Sequence, residues 1–66
     1  MTKVTVSQVA RLRTKSINHC IYRQVDDSVV VGTLDHGSWE GVILLYQDVD
    51  WSKSDEEICE AANENN

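Results

Sequence analysis

The sequence predicts an α+β domain in the order helix, helix, β-hairpin, helix. Three observations carry that expectation. Thr5 and Ser54 each open a capping pattern, with Gln8 and Glu57 three residues further on. The spacing of apolar residues is helical as far as Val25 and changes at Ser28 to the β-branched runs "SVVVGTL" and "WEGVILLYQ". Between those runs, "DHGS" supplies the Asp and Gly of a tight reversal.

The first helix starts behind Thr5, with Val4 and Val9 placed to close a hydrophobic staple over its first turn. "TKS" then interrupts the pattern, and Ser16 caps a second helix with Ile17, Cys20, Ile21 and Val25 on one face. Residues 5–25 thus form a helix-turn-helix candidate, residues 28–47 the hairpin, and residues 55–62 a C-terminal helix whose acids Asp55, Glu56 and Glu57 suit its positive end. One segment fits two periods. "HCIYRQ" also alternates like a strand, and with Asp26-Asp27 as a turn the order becomes αβββα with a three-stranded antiparallel meander. Residues 17–25 are compatible with either.

At 66 residues the chain is one small domain, residues 1–66. A domain of this size buries only about 60% of its unfolded surface, too little to enclose a deep catalytic cavity. The aromatic residues are Tyr22, Trp39, Tyr46 and Trp51, so these are expected to anchor the core, the two tryptophans flanking the last strand. No apolar run reaches the 18 or so residues of a membrane span, and the N-terminus lacks the apolar stretch of a signal peptide; a cytoplasmic protein without a membrane partner is expected. In that compartment Cys20 and Cys59 are expected as reduced thiols, with a single bridge as the alternative.

The net charge of -5 conceals a division. Five of the six basic residues precede Gln24, and all eleven acids follow it. Such asymmetry points to a charged interaction surface. The N-terminal part is arranged as a helix-turn-helix with a hairpin behind it, the order of a winged DNA-binding domain. "TVSQVARL" resembles the opening helix of excisionase and MerR-like domains, "IYRQVDD" the end of their recognition helix, and "YQDVDW" the segment after their wing. The resemblance implies a small DNA-binding accessory or regulatory protein, excisionase-like or a transcriptional regulator, with double-stranded DNA as the partner. It assigns backbone contacts to Ser7, Gln8 and Arg11, and base-side contacts to Asn18, His19 and Arg23. A dimer or array is then expected, because one short module buries little DNA surface.

The acidic half supports a second expectation. The hairpin carries Asp35 and Glu40, which repel phosphates. Asp48, Asp50, Asp55, Glu56 and Glu57 crowd within ten residues, suiting an inhibitor or antitoxin-like module that blocks a basic nucleic-acid-binding surface on a partner protein. Other patterns are weaker. "DVDWSKSDEE" begins like a calcium loop but has Lys53 where the loop needs Gly and Cys59 where it needs Glu. His19, Cys20, His36 and Cys59 lack zinc spacing. "VVVGTLDHGSWEGVIL" is similar to the first motif of Sm-like barrels, but the chain has no room for the second. No nucleophile–base set or phosphate loop is present, so a non-enzyme without a cofactor is expected.

Overall fold

The computed structural model describes residues 3–15, 20–34 and 40–64. They form α1 (Val6–Arg13), β1 (Cys20–Arg23), β2 (Val29–Gly32), β3 (Ile43–Tyr46) and α2 (Asp55–Glu64). The class is α+β, with both helices against a three-stranded antiparallel sheet. This is the αβββα order, not the pair of N-terminal helices.

The two helix starts follow their local chemistry. Thr5 Oγ1 accepts from the Gln8 N–H at 3.2 Å, and Gln8 Oε1 accepts from the Thr5 N–H at 2.9 Å. Arg11 and Arg13 in the last turn of α1 favour the negative end of its dipole. At α2, Ser54 Oγ accepts from the Glu57 N–H, and Glu57 Oε1 accepts from the Ser54 N–H, both at 3.2 Å. One flank of each helix closes the core: Val9 and Leu12 from α1, Ile58, Cys59 and Ala62 from α2, with Val4, Ile21, Leu45 and Val49 between them.

The expected second helix is replaced by β1, and the reason is burial on two faces. Ile21 joins the core below the helices. Tyr22, on the opposite face, is also fully buried, and its hydroxyl donates to the carbonyls of Thr33 (2.9 Å) and Leu34 (3.2 Å). A helix would bury only one stripe of this segment; a central strand buries both faces and pairs its backbone on both edges. Val25, assigned to the buried helix face, is instead 82% exposed in the turn after β1.

The 28–47 hairpin is also corrected. The strand order is β2-β1-β3, so β2 and β3 lie on opposite edges of β1 and neither a β2–β3 hairpin nor a sequential meander forms. The tight reversal is Gln24–Ser28. There the Asp27 N–H donates to the Gln24 carbonyl and the Gln24 N–H to the Ser28 carbonyl, each at 2.9 Å, and Asp27 takes the left-handed conformation (φ 71°) that ends a three-residue hairpin loop. The chain from β2 to β3 passes from one sheet edge to the other. Gly41 stands at its end with φ 81°, and a Cβ there would lie 2.2 Å from Val25 Cγ1, so this position suits glycine on both counts. Trp39 lies outside the described residues. Trp51 is half-buried and packs against the core.

Candidate interaction surface

Of the six residues assigned to DNA, the four that are described do not form one surface. Ser7 and Arg11 are exposed on α1. Gln8 is half-buried and its side chain is engaged at the helix start. Asn18 and His19 lie outside the described residues. Arg23 is only 3% exposed: it is turned inward from β1, where Nη1 donates to Asp27 Oδ1 at 2.6 Å and to the Asp27 carbonyl at 3.2 Å. An arginine held in this way braces the hairpin turn.

Arg13 has a comparable role that the sequence pattern did not reveal. Its guanidinium donates from Nε to Asp55 Oδ1 at 2.9 Å, from Nη1 to the Trp51 carbonyl and from Nη2 to the Lys53 carbonyl at 2.8 Å. It also stands over the Trp51 ring, 5.7 Å from the centroid. One side chain thereby ties the end of α1 to the lead-in of α2. The partners are about forty residues away along the chain, which is why no local motif marks them.

The acidic residues are better gathered. Asp48, Asp50, Glu56, Glu57, Glu60 and Glu64 are exposed, and Asp55 is half-buried in its ion pair with Arg13 at 2.8 Å. Several have local duties. Asp50 Oδ1 accepts from the Ser52 hydroxyl (2.6 Å) and N–H (3.1 Å), and these bonds, the hydroxyl's first, hold its carboxyl below the ordinary aspartate value. Glu57 is held below the ordinary glutamate value by the Ser54 N–H and then its hydroxyl. Both therefore stay ionised well into mild acid.

Helical geometry decides where the remaining charge points. Asp55, Cys59 and Asn63 share the flank turned to α1: Cys59 Sγ donates to the Val4 carbonyl at 3.0 Å, and the Asn63 amide accepts from the Val4 N–H at 2.7 Å and donates to the Val4 carbonyl at 3.0 Å. Glu57 and Glu64 consequently lie on the side away from α1, and Glu60 faces solvent between the two flanks. With Lys53 and Ala61 they line an open groove of about 320 Å³.

Among the described residues no three potential metal ligands gather, and no helix is long and apolar enough to cross a membrane. Cys20 and Cys59 are both buried free thiols. Comparison with protein-family models, curated proteins and solved structures finds no match.

Proposed function

We propose that this chain is a small acidic interaction module that occupies a basic surface of a partner protein, the kind of surface that otherwise holds nucleic acid. The carrying observation is the segment Asp48–Glu64, which holds seven carboxylates against Lys53 alone and directs most of them to solvent. A field of one sign over one side of a small domain steers encounter with a basic partner and repels phosphate. The duplex-DNA reading keeps Ser7 and Arg11 on α1 as backbone contacts, with Lys3 and Lys15 exposed nearby. Its recognition helix has no counterpart in Cys20–Arg23, a central strand.

The test is one fluorescence series, at low and moderate salt, with poly-L-lysine and a labelled duplex as probes. It compares the wild type with the combined variant Asp48→Asn, Glu56→Gln, Glu60→Gln, exposed carboxylates outside the capping and turn contacts of α2. The expected result is slower and weaker association of the variant with poly-L-lysine, a smaller effect of Glu40→Gln in the connection between β2 and β3, and no duplex binding by any form. Duplex binding that grows stronger on neutralisation would favour the DNA reading instead.

A further inference from the structure

We propose that the outer edge of β3 is a docking site for an extended basic segment of the partner, which joins the sheet as a fourth strand beside the carboxylates of α2. The proposal rests on the acidic-module reading and specifies what the partner presents.

Among the described residues, no strand other than β1 pairs with β3. The Gln24 N–H to Ser28 carbonyl bond sets the alternation between β1 and β2, so Tyr22 exchanges its backbone bonds with Val30. Tyr22 also stands opposite Leu44. With the Tyr22 backbone committed to β2, the N–H and carbonyl of Leu44 point away from β1, toward the free edge. Ile43 and Leu44 are 40% and 38% exposed, and "ILLY" contains none of the charges or prolines that usually protect an edge strand from pairing.

β2 is the other edge, and charge separates the two. α1 packs on β2 and α2 on β3. Lys3, Arg11 and Lys15 therefore go with the helix on the β2 side, whereas the exposed carboxylates Glu57 and Glu64, on the flank of α2 away from α1, go with the helix that packs on β3. A strand added there alternates its side chains between the two faces of the sheet. Basic residues on the helix side meet the α2 carboxylates, and apolar residues on the other side continue the surface of Leu44. Main-chain bonds hold such a strand, and the alternating side chains select it. An alternating Lys–Val sequence has the required pattern.

The full chain is titrated against a labelled Lys–Val octapeptide, an alternating Glu–Val peptide, and two Lys–Val forms N-methylated at all lysines or at all valines. In an extended strand, alternate N–H groups point to opposite edges. One N-methylated form should therefore lose about tenfold or more in affinity while the other keeps it. The Glu–Val peptide should not bind. Leu44→Lys, with its fold checked by circular dichroism, should lose the parent peptide to a similar degree. If both N-methylated forms bind like the parent, or if poly-L-lysine binds and the Lys–Val peptide does not, the edge site is overturned and the acidic-module reading stands. If neither basic probe binds, both are overturned. Equal binding of the Glu–Val peptide would remove the charge assignment, and self-association abolished by Leu44→Lys would make a second copy the occupant.

Discussion

Asp27 meets two demands at one position. It takes the left-handed backbone of the β1–β2 turn, which Asp and Asn tolerate better than most residues, and its carboxylate faces the buried Arg23 guanidinium. Asp27→Asn keeps the first property and removes the charge. We expect a loss of about 1–3 kcal/mol in urea unfolding, below the range for fully buried pairs because the Asp27 side chain is half exposed. An unchanged midpoint would show that the charge of Asp27 adds nothing to the turn. The pair also explains why Arg23 reads as a DNA contact in the sequence. On a helix it falls on the outward side; on the strand it shares the core-facing side with Ile21. Asp26-Asp27 was legible as a turn because its chemistry is local.

At the scale of elements, the capping boxes were the most legible features, since donor and acceptor are three residues apart. They also set an acid response. The Glu57 carboxyl is held below its ordinary value of 4.5, and Asp50 and Asp26 are held below 3.8, in each case by a neighbouring serine. A carboxyl whose folded value is lowered stabilises the fold above its unfolded value and loses that contribution as pH falls through the folded one. Thermal midpoints should accordingly decline below about pH 4.5, and Glu57→Gln should flatten part of that decline; equal pH profiles would show that the cap is energetically idle. The Arg13 clasp joins elements distant in sequence. Lys cannot reproduce three hydrogen bonds from one planar fork. Arg13→Lys should therefore cost about 1–2 kcal/mol, discounted for partial exposure, and urea unfolding that matches wild type would reduce the clasp to a charge contact.

Across the whole molecule, charge is sorted by element. Apart from Lys53, the bases left exposed lie on or beside α1, and most of the acids crowd α2 and its lead-in. The crowding opposes folding by self-repulsion. Raising sodium chloride from about 0.1 M to about 1 M shortens the screening length from about 10 Å to about 3 Å, and we expect the melting midpoint to rise. A fall would show that local pairs such as Arg13–Asp55 outweigh the repulsion. The same sorting marks β3, not β2, as the edge for a basic strand.

The sequence by itself determined the α+β class, both capped helices and the division of charge, and offered the Asp26-Asp27 turn as one of two alternatives, because each depends on neighbours within a few residues or on composition alone. Only the tertiary structure decided that "CIYR" is a strand, since its spacing satisfies both periods and the choice was made by partners on two faces and two edges. It likewise decided that β1 is the central strand, and so which edges stay open. Strand order depends on which segment gains most from being enclosed, and that gain exists only once Tyr22 has the Thr33 and Leu34 carbonyls over one face and Ile21 has the helices beneath the other.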